Sequence, residues 1–345
     1  MENITNGKKS TYQQIAKETG LSPATISRVF TGAQVVKEET RQKVLSVLKE
    51  FGYDISKLPP PDGNNSRLLI LNVPNIDNPF YTVVLHGAKT AAMQRGYQLL
   101  TNEEHINENT IANFLTMLLA VNAAGLILTN HVPTHLLKKL SDVIPFVQCC
   151  EYDESLDIPY VSIDNVAAAK TATDYIISLG RKSIAFINGP LRYKYARDRL
   201  SGFKESLKNA GIPFDPDLVI QLPDINYDLA VSALSTMLDS GAKPNAFFCA
   251  SDVLASAVIK VLLRRGINVP NEIAVVGVDN INISIMTTPT ITTISQPGYQ
   301  LGFTSCGVLI ERIHNPKTQF HNIVLPTELI VRESTMFNAH TESKT

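Results

Sequence analysis

From Arg67 onward, short apolar runs alternate with amphipathic segments of helix length. Several of those segments end in glycine, as in 83–96, 167–180 and 254–266. The apolar runs with the length of buried strands are 68–73, 97–101, 125–129, 145–150, 160–164, 183–188, 218–222, 246–251 and 273–279. Near-continuous apolar strands separated by helices are typical of parallel sheets that are buried on both faces. The runs are too many for one ordinary sheet, so the pattern predicts two.

Length and composition agree with a multidomain globular protein. The 345 residues are enough for two or three compact units, and 44% of them are hydrophobic. There is no apolar run long enough to cross a bilayer and no N-terminal signal sequence, so we expect a cytoplasmic protein.

The cysteines lack metal-ligand spacing and lie in apolar runs, which predicts reduced, buried thiols and no metal or cofactor. They are Cys149, Cys150, Cys249 and Cys306.

Residues 11–31, TYQQIAKETGLSPATISRVFT, predict two short helices joined by a tight turn. Thr11 can cap the first helix, and Gly20 stands where a helix end favours a residue that tolerates positive φ. Ser22 is a suitable cap for the second helix, and Pro23 suits its first position because no N–H is needed there. The stretch therefore predicts a helix-turn-helix.

The second of these helices has one apolar side and one small, polar side. Ile26, Val29 and Phe30 follow the i, i+3, i+4 spacing of a buried stripe. A short helix of this kind can lie in the major groove of DNA. The residues that we predict to contact DNA are Thr11, Tyr12, Ser22, Pro23, Ala24, Thr25, Ser27 and Arg28. Residues 1–53 carry eight Lys/Arg against five Glu, a modest positive charge that is compatible with this function.

The same residues carry a resemblance to a known family. In the lactose-repressor/galactose-repressor family of bacterial transcription regulators, the corresponding phrase is close to T-x-x-x-I-A-x-x-x-G-x-S-x-x-T-x-S-R-V. The matching residues here are Thr11, Ile15, Ala16, Gly20, Ser22, Thr25, Ser27, Arg28 and Val29. The segment 35–53 resembles the third helix of the family, although Lys37 stands where the family usually has a serine cap. The alternative for this region is a small three-helix bundle without a nucleic-acid role.

The rest of the chain resembles the effector-binding core of that family, which has the two-lobed fold of periplasmic sugar-binding proteins. The segments that carry this resemblance include 73–81, 162–165, 187–203, 249–255, 275–280, 292–297 and 325–334. It implies an all-α helix-turn-helix head and an α/β two-lobed core of two parallel, doubly wound sheets. The expected divisions are a head at 1–53, a linker at 54–66 and a core at 67–340. Lobe one would take about 67–163 and 296–326, and lobe two about 164–295 and 327–340.

The linker departs from the family pattern. The family usually has a hinge helix here, which inserts a leucine into the minor groove and bends the operator. This chain has three successive prolines, Pro59, Pro60 and Pro61, which disfavour helical backbone before them and offer no N–H donors. We therefore expect no hinge helix, little central kink in the operator and tolerance of half-site spacing.

Candidate effector-binding residues lie where predicted strands end. Asp164, Asp252 and Asp279 could accept hydrogen bonds from a polyhydroxylated ligand, and the alternative for each is capping of the helix that follows. The resemblance implies that Asp279, in a G-x-D-N phrase, and Arg199, in R-L-x-G-F, reach the ligand. Open α/β sheets bind ligands at the carboxyl ends of their strands, which predicts a cleft between the lobes.

Further candidates have ordinary alternatives as well. Tyr193 and Tyr195 could contact the ligand or be exposed loop residues. Phe80 and Tyr81 could present an apolar face to a sugar ring or a base, or could pack in the core. Gln296 lies at a predicted lobe crossing and could contact the ligand or act at a hinge.

These observations predict a dimeric transcription regulator, most simply a repressor of carbohydrate-use genes, that binds a pseudo-palindromic operator and a small sugar-like effector. The alternatives are the same fold sensing a purine or nucleoside, or one controlled by a phosphocarrier partner protein. A sugar-binding protein or an enzyme on the same core is a further alternative. Because the sequence has no HExxH, P-loop or GxSxG motif, we do not expect an enzyme, nor do we expect a membrane partner.

Overall fold

The structure is a computed structural model that describes residues 15–23, 25–26, 29, 36–50, 66–316 and 318–337. Its strands are β1 (Leu68–Val73), β2 (Gln98–Glu103), β3 (Gly125–Leu128), β4 (Phe146–Cys149), β5 (Tyr160–Ile163), β6 (Ile184–Asn188), β7 (Val219–Gln221), β8 (Ala246–Cys249), β9 (Ala274–Asp279), β10 (Thr292–Ser295), β11 (Ile323–Leu325) and β12 (Glu328–Ile330). Its helices are α1 (Glu38–Glu50), α2 (Pro79–Gln94), α3 (Ile111–Ala120), α4 (Thr134–Ser141), α5 (Asn165–Ser178), α6 (Lys194–Asn209), α7 (Tyr227–Asp239), α8 (Asp252–Arg264), α9 (Ile283–Met286) and α10 (Gly298–His314), with a short 3₁₀ turn at Pro216–Leu218.

The head has the local features that its sequence predicts. Residues 15–19 are helical, and Gly20 adopts a φ of 66° at the end of this segment. The Thr25 N–H donates to Ser22 Oγ at 3.1 Å, which caps the second helix. The small core of the head contains Ile15, Ile26, Val29, Val44 and Leu48. Of the predicted DNA contacts, Thr11, Tyr12, Ala24, Ser27 and Arg28 lie outside the described residues, as does most of the linker.

The remainder forms two six-stranded sheets, which we call lobe one and lobe two together with the helices packed on them. The first sheet has the order β11-β5-β4-β3-β1-β2, and its neighbouring strands are parallel. The second has the order β12-β10-β9-β8-β6-β7, and only β12 is antiparallel to its neighbour. The two doubly wound, mostly parallel sheets confirm the predicted fold class.

Each of the nine predicted strands has a counterpart whose bounds differ by two residues or fewer. The helix predicted from residue 83 begins earlier, at Pro79, because Asn78 Oδ1 accepts from the Phe80 N–H and Pro79 occupies the first helical position. Strands β10, β11 and β12 were not among the predicted strands. They are three or four residues long and lie where the chain passes between the lobes, so the apolar runs are weak there.

The strand orders of the two sheets predict where a ligand binds. The chain order reverses at β1 and β3 in the first sheet, and at β6 and β8 in the second. Ligands of doubly wound sheets bind beyond the carboxyl ends of strands at such switch points. The chain passes between the sheets after β5, β10 and β11, so the carboxyl ends of both sheets border one space.

Close packing of α2 on α10 fixes one face of lobe one. A Cβ on Gly302 would overlap the carbonyl oxygen of Val84, and a Cβ on Gly87 would overlap that of Tyr299. Only glycine therefore allows the two helix backbones to approach this closely. Across the described ranges, no helix is long and apolar enough to span a lipid bilayer.

Candidate functional site

A cavity lies between the two sheets at the carboxyl ends of their strands. It encloses about 500 Å³, part of it open to solvent, and both polar and aromatic side chains line it. Its lining comprises Asn78, Phe80, Tyr81, Cys150, Glu151, Ser162, Ile163, Asn165, Tyr195, Arg199, Ile225, Ala250, Ser251, Asp279, Gln296 and Leu301.

Arg199 is the buried cation of this cavity. Its side chain is 4% exposed and extends from α6. Nε donates to Asn165 Oδ1 at 3.0 Å, and Nη1 donates to the carbonyl oxygen of Ala250 at 2.5 Å. The guanidinium carbon lies 5.0 Å from the centre of the Tyr195 ring, a cation–π distance. These contacts hold the guanidinium in one orientation at the cavity wall.

Asp279 is a buried acidic residue of the cavity. Burial raises the pKa of its carboxyl group, and the charge of Arg199 and a hydrogen bond from Gln296 oppose the rise. Gln296 Nε2 donates to Asp279 Oδ1 at 2.6 Å. Asp279 and Asn280 have φ angles of 118° and 57°, which are costly for residues other than glycine. Backbone strain of this kind is typical of functional sites.

The strained turn is supported from behind by Asp252. This residue is fully buried but is not part of the cavity lining. Its Oδ2 accepts from the Ile281 N–H at 3.0 Å, and its Oδ1 accepts from Thr293 Oγ1 at 2.6 Å. A Cβ on Gly277 would overlap Asp252 Oδ1, so glycine at this position makes room for the carboxylate. Asp252 therefore holds the turn that presents Asp279.

The apolar part of the cavity is aromatic. Phe80 and Tyr81, at the start of α2, meet edge to face with ring centres 5.6 Å apart. Tyr195 contributes a third ring, and Tyr193 stacks on it at 5.6 Å. Tyr193 itself is buried and does not line the cavity. Such rings can pack against the apolar face of a sugar or a base.

Six of the nine candidates from the sequence thus line one cavity: Phe80, Tyr81, Tyr195, Arg199, Asp279 and Gln296. Asp164 does not, because its Oδ1 accepts from the Ala167 N–H at 2.9 Å and caps α5. The neutral neighbours Ser162 and Asn165 line the cavity instead. Their side chains are neutral, so they lack the signal that charged residues at strand ends give.

Glu151 is the most notable residue that the sequence did not single out. It is 3% exposed, and its carboxylate accepts from the main-chain N–H groups of Lys194 and Tyr195 at 2.7 and 3.0 Å. Burial raises its pKa to about 7, and those two hydrogen bonds oppose the rise. Its position just after β4 was a usable signal, because Ala250 and Ser251 of the cavity lining also follow a strand directly.

On the head, the described part of the predicted DNA-binding surface is accessible. Ser22 and Pro23 are exposed and Thr25 is partly exposed. The hydroxyl oxygens of Ser22 and Thr25 lie 2.9 Å apart. Among the residues that the structure describes, no three His, Cys, Asp or Glu side chains are grouped so that they could hold a metal ion.

A helix-turn-helix head attached to a two-lobed core with a polar cleft defines a class of DNA-binding regulators with a ligand-binding core. Residues 11–55 match the family described as "Bacterial regulatory proteins, lacI family", and residues 173–335 match "Periplasmic binding protein-like domain". The chain belongs to the lacI family of bacterial regulatory proteins.

Relatives within this family align along nearly the whole chain. The HTH-type transcriptional repressor CytR of Escherichia coli (strain K12) is 30% identical over 94% of this chain and 96% of its own length. The ribose operon repressor of Halalkalibacterium halodurans is also 30% identical, over 97% and 99%. The structure of the transcriptional regulator CelR in complex with cellobiose matches with a TM-score of 0.72 and 30% identity, over 94% and 99%.

Proposed function

We propose that this protein is a transcription repressor whose affinity for operator DNA is controlled by a small polyhydroxylated effector, a sugar or sugar derivative. The observation that carries this proposal is that Arg199 and Asp279 line one interlobe cavity together with three aromatic rings. Sugar hydroxyl groups accept from a guanidinium and donate to a carboxylate, while the apolar face of the ring packs on aromatic side chains.

The DNA-binding part of the proposal rests on the head. The protein acts in the cytoplasm as a homodimer, and each head reads one half-site of a pseudo-palindromic operator. The proposal assigns no catalytic step and no cofactor to the cleft.

Population shift couples the two sites. An effector that binds the closed arrangement of the lobes more tightly than the open one favours closure. Closure changes the separation of the two heads, so they match or miss the two half-sites. Two relatives support a sugar as the effector. CelR is known in complex with cellobiose, and another relative is named as the repressor of a ribose operon.

A thermal-shift screen of the full-length protein tests the effector class. The panel contains ribose, cellobiose, glucose 6-phosphate, adenosine and cytidine. A sugar present at about a hundred times its Kd should stabilise the protein by about 2.7 kcal/mol. Stabilisation by adenosine or cytidine alone would favour the nucleoside alternative. If no compound acts and an operator pull-down also fails, the proposed function is wrong.

A further inference from the structure

Helix α6 of lobe two takes its N-terminal cap from lobe one. The first N–H groups of a helix have no acceptor inside the helix and need one from elsewhere. Ser, Thr, Asp or Asn usually supplies it at the N-cap position. Here that position is Tyr193, whose side chain makes no capping hydrogen bond. The carboxylate of Glu151 takes this role by accepting from Lys194 and Tyr195 across the cleft.

The backbone before Glu151 aims this carboxylate. Cys150 adopts a φ of 69°, and the Glu151 N–H donates to the carbonyl oxygen of Cys149 at 2.8 Å. A hydrogen bond from residue i+2 to residue i around a residue of positive φ is the arrangement of a γ-turn, which is rare and strained. Such strain persists only where the surroundings fix the conformation. The turn directs Glu151 from the end of β4 towards α6.

The capped helix carries two cavity residues, Tyr195 in its first turn and Arg199 in its second. A further polar contact between this helix and lobe one is weaker. Lys194 Nζ lies 3.7 Å from a carboxylate oxygen of Glu154, whose side chain is 64% exposed. Exposed ion pairs contribute little. The buried, doubly hydrogen-bonded carboxylate is therefore the stronger link between this helix and lobe one.

We propose that Glu151 is a positioning residue of the cleft. By capping α6 from lobe one, it holds the lobes in their closed arrangement and sets Tyr195 and Arg199 in place for the effector. This inference rests on the proposed function only in taking the cleft as the effector site. A helix N-terminus also favours a negative charge through its dipole, which adds to the two hydrogen bonds.

Closure has a proton-linked component. Opening the cleft exposes Glu151 to water, and its pKa then falls from about 7 towards its ordinary value of 4.5. The closed form binds the proton more tightly, so closure becomes more favourable as pH falls through 7. A protonated carboxyl group still has acceptor capacity for the two N–H groups. The charged and titratable groups around Glu151 come from four parts of the chain. They are Tyr193, Lys194, Tyr195, Arg197 and Asp198 at and after the start of α6, Cys150, Tyr152, Asp153 and Glu154 on its own loop, His131 after β3 and Tyr81 on α2.

Hydrogen exchange of the full-length protein, followed by mass spectrometry, tests the cap without an effector. The Lys194 and Tyr195 amides depend on Glu151 for an acceptor, so Glu151→Ala should speed their exchange at least about tenfold. Glu151→Gln keeps one acceptor oxygen and should have a smaller effect. Glu154→Ala, on the same loop, is the matched control and should exchange as the wild type does.

Two results would overturn the proposal. One is unchanged exchange of these two amides in Glu151→Ala. The other is an equal acceleration in the central strand β8, because that would make Glu151 a general stability residue. If Glu151→Ala does not fold, Glu151→Gln provides the same comparison between the two amides and β8.

A second measurement tests the proton linkage. Small-angle scattering of the wild type should show a smaller radius of gyration at pH 6 than at pH 8. Glu151→Gln should weaken this pH response of the radius of gyration. Asp279→Asn should retain the part of the response that comes from Glu151. An unaltered response in Glu151→Gln would contradict the linkage. A failed proposed function would leave these results in place and appear instead as a lack of effector binding in the thermal-shift panel and of binding in the operator pull-down.

Discussion

Replacing Arg199 with leucine removes the buried cation of the cleft while keeping much of the apolar stem. The variant loses the donors to Asn165 Oδ1 and to the Ala250 carbonyl oxygen, and both acceptors stay inside the protein. It also leaves the buried Asp279 carboxylate without the positive charge that opposes the rise of its pKa. Arg199→Leu therefore perturbs both the hydrogen bonding and the charge balance of the site.

The expected cost follows from these contacts. Hydrogen bonds to a charged group contribute about 1.5–3 kcal/mol each, and the buried Asp279 carboxylate also loses the nearby positive charge of Arg199. Asp279 can relieve part of this cost by taking up a proton. From the two lost hydrogen bonds we therefore expect the free energy of unfolding to fall by about 3 kcal/mol at pH 8.

Asp279 determines how the stability difference between Arg199→Leu and the wild type changes with pH. Its pKa is raised in the folded wild type and should rise further without Arg199, so the protonated form is the one that folding favours. At pH 5 this carboxyl group is protonated in both proteins, and the attraction to Arg199 is absent even in the wild type. The difference between the two proteins should therefore be smaller at pH 5 than at pH 8.

Urea unfolding followed by circular dichroism at both pH values measures this difference. Arg197→Leu is the matched control, because Arg197 is on the same helix but is exposed and donates only to carbonyl groups of the preceding loop. It should cost less than about 1 kcal/mol. If Arg199→Leu is no less stable than Arg197→Leu at pH 8, the assigned role of the buried cation is wrong.

We make four other predictions, three on substitutions and one on operator bending. Arg28→Ala should weaken operator binding by about 1–3 kcal/mol and relax sequence preference in fluorescence anisotropy, and unchanged binding would contradict the predicted recognition face. Asp279→Ala should abolish the effector response in the same assay without altering operator affinity, so a response at the wild-type effector concentration would refute its role. Gly302→Ala should lower the free energy of unfolding by about 1–3 kcal/mol through overlap with the facing main chain, whereas Gly307→Ala, where a Cβ has room, should not. With prolines at 59–61, circular-permutation gel shifts should show little central bend in the operator, and a strong bend would contradict the argument.

The regular part of the fold could be read from local patterns. Apolar runs such as 68–73 and 184–188 are strands because each is buried on both faces of a parallel sheet, and that burial leaves a continuous apolar signal. The caps of α2 and α5 are equally local, since Asn78 and Asp164 bond to N–H groups two or three residues away. Such contacts need no knowledge of distant residues.

The candidate site was only partly readable. Arg199 and Asp279 were found because a family resemblance and strand ends pointed to them, and both line the cavity. Asp252 stands just after a strand in the same way but faces the turn beneath the site, where Thr293 and Ile281 donate to it. Residue type and spacing do not distinguish these two positions, because the direction of each side chain depends on the neighbouring strand.

The sequence by itself determined two parallel sheets and a helix-turn-helix head, because these follow from short-range periodicity. The polar cleft between two lobes was implied by the family resemblance. The tertiary structure alone decided that Glu151 caps a helix whose first residues lie 43 and 44 positions further along the chain. The sequence before α6 has Tyr193 where a capping side chain is usual. The acceptor comes from the other lobe, and only the folded arrangement brings the end of β4 to the start of α6.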